Sequence, residues 1–328
     1  MAFDVLTIGD YSLDIIFGLD EKKGHVHLDR GKNELALVRE DKILVDDFHY
    51  AIGGNACNVA VGLARLGLKT SYQTFYGNEW WSKYFLEEMK NEQVDLSLSL
   101  EVPRKASNYS TSIFFQNEKT ILIHNSANNY KLTSSMFTTK ILFISSIGPN
   151  FESFFEELSD HVYRQKTVLA FNPASHQFEK NLSSYRNLLA VCEFLFVNKK
   201  EAQKILDLNE ENDINNLIKK LIALGPKNIV MTDQTNGAYL YTDEKLFHCP
   251  IFPYPVKQKT GAGDAFASGF LAGYFYEQPL TDALRWGTFN AASVIGQDGP
   301  HEGLLRKEQM DRFLRENQQE LVIKQINL

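Results

Sequence analysis

Short, mostly apolar runs separated by longer amphipathic stretches set the rhythm of this chain. The runs lie at residues 3–8, 141–144, 167–171, 194–197 and 228–231. They are too short for helices and show no polar alternation, as expected of strands buried on both faces of a parallel sheet. Between them, residues 55–66, 79–90, 151–163, 199–206 and 213–224 repeat apolar positions at helical spacing. Strand alternating with helix predicts an α/β fold: a doubly wound, mostly parallel sheet flanked by helices. A chain of 328 residues suits one such domain spanning 1–328.

Two stretches break the rhythm. Residues 15–50 are charged and irregular, with strand candidates at 35–38 and 42–45. Residues 107–124 read as strands at 109–115 and 120–124 joined by a turn at Asn117-Glu118. Together they predict a small β-sheet outside the main layer, serving either as a lid over a site or as an ordinary edge hairpin. From Lys307 onward the chain reads as a polar surface helix and a tail.

Composition narrows the function classes. Hydrophobic residues make up 44% of the chain, enough for a large core, and the formal charge is −7. That balance argues against a general nucleic-acid binder. It leaves a phosphorylated small molecule open, because helix N-termini hold anions whatever the net charge. Cys57, Cys192 and Cys249 are far apart and form no CxxC pair, so neither a zinc site nor a disulfide framework is indicated. No apolar run reaches the roughly 18 residues of a membrane span. The N-terminus lacks the basic segment of a signal peptide, so a cytoplasmic protein with no membrane partner is expected.

The densest chemical signal is Thr260-Gly261-Ala262-Gly263-Asp264-Ala265-Phe266. Two glycines before the first helical turn imply a backbone that bends or approaches something closely. The N–H groups there would attract an anion, and Asp264 beside them would accept the proton of an attacking hydroxyl. The same residues also suit an acidic first turn behind a glycine bend. Gly269 and Gly273, four apart, suit close helix packing. Asn198 and Glu201, three apart at a helix start, fit a capping box, and their oxygens also suit Mg²⁺.

Lys259 to Gly269 resembles the C-terminal signature of the ribokinase-like, or pfkB, carbohydrate kinases, and Gly53-Gly54-Asn55-Ala56-Cys57-Asn58 resembles their N-terminal one. The resemblance runs from about residue 3 to about 304. It implies a ribokinase-like fold with a small β-sheet lid at about 15–50 and 107–124. It also implies ATP-dependent transfer to a primary hydroxyl of a small sugar. Asp264 would be the base and Gly261, Ala262 and Gly263 the anion hole. Asp14 would grip two sugar hydroxyls, with Gly53, Gly54 and Asn58 completing the acceptor pocket. Asp10 would be a second contact or a turn residue, and the turn is preferred.

For the nucleotide, the resemblance implies Asn198, Thr232 and Gly237 around the phosphates, Thr288 and Asn290 near the adenine, and Glu201 on Mg²⁺ through water. ATP and Mg²⁺ are the implied cofactors, and a homodimer through the lid is the implied assembly.

The chain departs from the family pattern in three places. Gln234 stands where a glycine is usual, two residues after Thr232. Gln258 stands where many members carry an aspartate that helps bind a monovalent cation, and Lys259 next to it offers either a substitute charge or a solvated loop lysine. The span from Asp14 to Gly53 is also longer than usual. The acceptor stays open between a sugar and a nucleoside, and a non-catalytic sugar- or nucleotide-binding relative is the alternative of another class.

Overall fold

Alternate residues of each apolar run face opposite helical layers. Leu142 and Ile144 join Leu169, Phe171, Leu195 and Ile229 in one core. Their neighbours Ile141 and Phe143 join Ala170, Phe194, Phe196 and Val230 in the other. A strand with both faces covered this way needs apolar residues throughout, which is why no alternation was visible in the sequence.

The computed structural model describes residues 3–19, 26–29, 31, 34–102, 107–116, 118–132, 139–317 and 319–328. Its main sheet is nine-stranded, in the order Lys324–Ile326, Lys245–Cys249, Ala238–Thr242, Asn228–Thr232, Phe194–Asn198, Val168–Asn172, Ile141–Ser145, Val5–Ile8, Thr70–Gln73. From Asn228–Thr232 to Thr70–Gln73 all pairings are parallel. The other edge is antiparallel. Helices Asn55–Arg65, Ala262–Phe275 and Leu280–Ile295 cover one face; Glu152–Gln165, Lys199–Leu206 and Ile214–Ile222 cover the other. All five sequence-predicted strands and all five predicted helices are present, with ends shifted by a few residues. Among the described residues no helix is long and apolar enough to cross a membrane.

A separate four-stranded sheet has the order Glu118–His124, Asn108–Phe115, Ser12–Gly18, Asp47–Gly53. It confirms a small sheet outside the main layer but corrects its membership. Residues 42–45 form no strand. Pairing starts only where the Asp46 N–H donates to the Gly18 carbonyl, and Leu44 and Val45 stay exposed with no strand edge to join. The candidate at 35–38 falls on Glu34–Leu37, which pairs with Val26–Asp29 in its own two-stranded ribbon. Ser12–Gly18, unread as a strand, is central to the small sheet. Of the expected turn at Asn117-Glu118, Asn117 lies outside the described residues and Glu118 already belongs to a strand. The tail is also corrected. After the helix Lys307–Glu316 it returns as Lys324–Ile326 and closes the edge of the main sheet.

Gly269 and Gly273 do pack helices closely. A Cβ on Gly269 would lie 2.6 Å from the Trp286 carbonyl oxygen, and one on Gly273 2.9 Å from the Ala283 Cα. The two helices Ala262–Phe275 and Leu280–Ile295 therefore sit against each other with little freedom, which fixes the start of the first of them over the sheet.

Candidate active site

Most parallel strands end in a polar residue at the same edge of the sheet. Asp10 follows Val5–Ile8, and Ser145, Asn172, Asn198 and Thr232 end the next strands along. Ligands of open α/β sheets bind beyond this edge. A cavity of about 200 Å³ lies there. Asn198, Glu201, Thr232, Gly261, Gly263 and Asp264 all line it, joining sequence motifs that are far apart in the chain.

The helix Ala262–Phe275 starts at this cavity. Gly261 is its N-cap with φ 79°, a left-handed conformation, and a Cβ there would meet Pro300 at 2.9 Å. Gly263 has open space where a Cβ would be. First-turn N–H groups have no partner within a helix; here the Ala262 N–H reaches back to the Lys259 carbonyl at 3.4 Å, while Gly261 and Gly263 line the cavity.

Asp264 is 9% exposed. Burial pushes its carboxyl up to about 7, with like charge from Glu201 and Asp14 adding to the rise and a hydrogen bond from Asn58 opposing it. A carboxylate titrating there is matched to accept a proton near neutral pH. Asn58 Nδ2 donates to Asp264 Oδ2 at 2.7 Å, and Asn58 Oδ1 lies 2.9 Å from His301 Nε2. The expected role of Asn58 was a bond to sugar hydroxyls. It is buried, and its amide is committed to Asp264 and His301 rather than to a sugar.

Asp14 lies on Ser12–Gly18 of the small sheet. Its Oδ1 accepts from Ser12 Oγ and Ser110 Oγ, both at 2.7 Å. A Cβ on Gly53 would sit 2.3 Å from Asp14 Oδ2, so the carboxylate occupies space that only glycine leaves. Gly54 begins the Asn55 helix with φ 102°, and a Cβ there would meet the Asp10 carbonyl oxygen at 2.5 Å. The two glycines thus join the small sheet to the helix that carries Asn58.

Asn198 and Glu201 form a reciprocal capping box, with Asn198 N donating to Glu201 Oε2 at 2.8 Å and Glu201 N to Asn198 Oδ1 at 2.9 Å. Both also line the cavity, so the cap leaves them within reach of whatever fills it. Burial pushes the Glu201 carboxyl up to about 7. Gln234 takes the left-handed conformation that a glycine would, at φ 48°, a strain of roughly 1 kcal/mol. Gly237, at φ 89°, makes the turn out of that loop.

Two expected adenine contacts are not at the cavity. Thr288 is 7% exposed, and its hydroxyl donates to the Leu284 carbonyl. Asn290 is fully buried; its amide donates to the Ala265 carbonyl and Ser268 Oγ and accepts from the Leu305 N–H. Thr288 bonds back within its own helix, and Asn290 ties that helix to Ala262–Phe275, uses that helical spacing alone does not distinguish from a ligand contact. Asp10 is neither a turn residue nor an open ligand. It is buried and accepts from Asn128 Nδ2 at 3.0 Å, the Tyr130 hydroxyl at 2.7 Å and the Gly148 N–H at 2.7 Å. Lys259 is exposed, whereas the side-chain nitrogen of Gln258 is buried without a hydrogen-bond partner among the described residues. Its neutral amide lacks the charge that an aspartate would bring to a cation.

Three residues escaped sequence reasoning. Asn172 and Asn55 line the cavity and face each other at 3.4 Å. A polar residue ending an apolar strand run was the available signal for Asn172. His301 gave none, since its partners come from other helices.

A family model described as "pfkB family carbohydrate kinase" matches residues 21–307. The 5-dehydro-2-deoxygluconokinase of Clostridium tetani is 25% identical, over 92% of this chain and 96% of that protein. Ribokinase from Arabidopsis thaliana, solved with ribose and ATP, superposes with a TM-score of 0.80 at 18% identity, covering 96% of this chain and 99% of that one. A nucleoside kinase from Methanocaldococcus jannaschii superposes with a TM-score of 0.77 at 20% identity, covering 96% and 99%. These structural likenesses give the ribokinase-like fold.

Proposed function

The chain belongs to the pfkB family of carbohydrate kinases, and from that premise we propose that it transfers the γ-phosphoryl group of ATP to a primary hydroxyl of a small sugar or sugar acid. The observation that carries this reading is Asp264. It is a buried carboxyl titrating near neutrality, at the start of a helix whose Gly263 opens onto the cavity.

Asp264 takes the proton of the acceptor hydroxyl as that oxygen attacks phosphorus. The N–H groups at Gly261, Ala262 and Gly263 stabilise the charge that builds on the phosphoryl oxygens. Asp14 orients the acceptor through its Oδ2, the oxygen not taken by Ser12 and Ser110. Thr232, Asn198 and Gly237 hold the phosphate chain, and Glu201 with Asn198 offers oxygen ligands for Mg²⁺ through water. Mg²⁺, when bound, neutralises charge on the transferring phosphates. The four-stranded sheet carrying Asp14 acts as the lid, excluding water so that ATP is not wasted by hydrolysis. The monovalent cation of many relatives has no part in this reading, because Gln258 brings a neutral amide where they carry a carboxylate.

The sugar-acid end of this range is supported by the kinship with the 5-dehydro-2-deoxygluconokinase. The experiment is ATP consumption with Mg²⁺ against ketoses, aldoses, 5-dehydro-2-deoxygluconate and nucleosides, run beside Asp264→Asn. Turnover of a sugar or sugar acid that disappears in the variant is expected. Turnover of nucleosides alone overturns the acceptor class, and no ADP release from any acceptor overturns the kinase reading.

A further inference from the structure

We infer that His301, backed by Glu88, is a positioning residue that locks the amide of Asn58 against the carboxylate of Asp264. The inference rests on the reading of Asp264 as the base, and concerns how that base is held.

Four side chains from four separate segments form one hydrogen-bonded line. Glu88 Oε1 lies 2.6 Å from His301 Nδ1, His301 Nε2 lies 2.9 Å from Asn58 Oδ1, and Asn58 Nδ2 lies 2.7 Å from Asp264 Oδ2. Glu88 comes from the helix Trp80–Asn91, Asn58 from Asn55–Arg65, Asp264 from Ala262–Phe275, and His301 from the connection before Lys307–Glu316. His301 is 5% exposed, so water does not compete for either ring nitrogen.

Proton bookkeeping fixes the direction of the line. The Asn58 amide oxygen only accepts, so His301 Nε2 must carry a hydrogen. The contact between His301 Nδ1 and Glu88 Oε1 needs a second proton between them. A ring held in this way presents a fixed donor to Asn58. With its oxygen turned to His301, the amide has only its NH₂ to offer Asp264. That donor favours the ionised carboxylate and pins one oxygen, leaving the other for the acceptor hydroxyl. Without the imidazole, the amide can flip and present its oxygen to the carboxylate, which repels it.

The ring is itself clamped. Arg65 donates to the backbone carbonyls of His301 and, at 3.2 Å, Leu304, while gripping Glu92 with two bonds of 2.8 and 2.6 Å. The titratable and charged groups facing the line are Glu88, Arg65, Glu92 and Arg306 around His301, Tyr84 against Glu88, and Asp14, Glu201 and Cys57 around Asp264.

The test is the titration of the Asp264 side chain, followed by ¹³C NMR of aspartate-labelled full-length protein without any acceptor and assigned with Asp264→Asn. His301→Ala is expected to raise the midpoint by about one pH unit, the size of one lost hydrogen bond to a charged group. His301→Gln keeps an N–H within reach of Asn58 Oδ1 and is expected to restore the midpoint. His301→Phe, which preserves the ring volume, replaces the alanine variant if that one does not fold. A midpoint unchanged in His301→Ala or His301→Phe, or raised equally in His301→Gln, overturns the proposal. The titration needs no substrate, so it decides the line even where the acceptor panel returns no turnover.

Discussion

Asn58 Nδ2 donates to Asp264 Oδ2 at 2.7 Å across a sequence separation of 206 residues. The two glycine-led motifs of the chain are thus one site, with the amide of the first tuning the carboxylate of the second. Burial raises the Asp264 carboxyl, and this hydrogen bond opposes the rise.

Asp264→Asn is expected to lower turnover by about 10²- to 10⁴-fold, the usual worth of a general base. It is also expected to stabilise the protein. In the unfolded chain the carboxyl ionises near 3.8, while in the folded protein it keeps its proton to about 7. The folded state therefore binds the extra proton, and the stability this confers at low pH is lost as pH rises through about 7. The variant escapes that loss, by on the order of 4 kcal/mol at most. Thermal unfolding at pH 5 and pH 8 checks this: the Tm advantage of the variant should widen at pH 8, and a flat gap would contradict the raised carboxyl.

The acid limb of activity follows from the same group. Only ionised Asp264 accepts a proton, so kcat/KM should climb about tenfold per pH unit below about 7 and level off above it. Initial rates between pH 5.5 and 9 at saturating Mg²⁺ measure this. A limb centred near the ordinary carboxylate range would remove Asp264 from the role.

Gly53→Ala places a methyl where the Asp14 carboxylate now sits, at 2.3 Å from Oδ2. The carboxylate must swing away, losing its hold on the acceptor. The expected result is a KM for the acceptor raised about 10- to 100-fold, as for hydrogen bonds to a charged group. The KM for ATP should barely change. Steady-state kinetics with each substrate varied in turn separates the two.

Gln258 predicts indifference to monovalent cations. Its buried side-chain nitrogen offers a donor where many relatives carry an aspartate. Activity in KCl should match that in NaCl or choline chloride at equal ionic strength. Gln258→Asp should introduce a dependence on K⁺, and strong K⁺ activation of the unaltered protein would count against the prediction.

Much of the fold was legible because burial on both faces forces continuous apolar strands, and helices between them repeat every three to four residues. The edges of the small sheet were not legible. Lys42-Ile43-Leu44-Val45 looks like a strand but has no partner among the described residues, while Ser12–Gly18 did not stand out as a strand and is central because neighbours on both sides supply its hydrogen bonds. Strand pairing is a relation between segments, and a single segment does not carry it.

Local pattern and local backbone freedom were enough to place the sheet, the family and the glycine-led turns at Gly53 and Gly261. What each polar side chain is for came out of the packed fold. Asn290, placed by sequence near the nucleotide, spends its amide between two helices. His301, silent in sequence, stands two hydrogen bonds from Asp264. A buried polar group must find partners wherever the fold brings them, and those partners are chosen by packing across the whole chain.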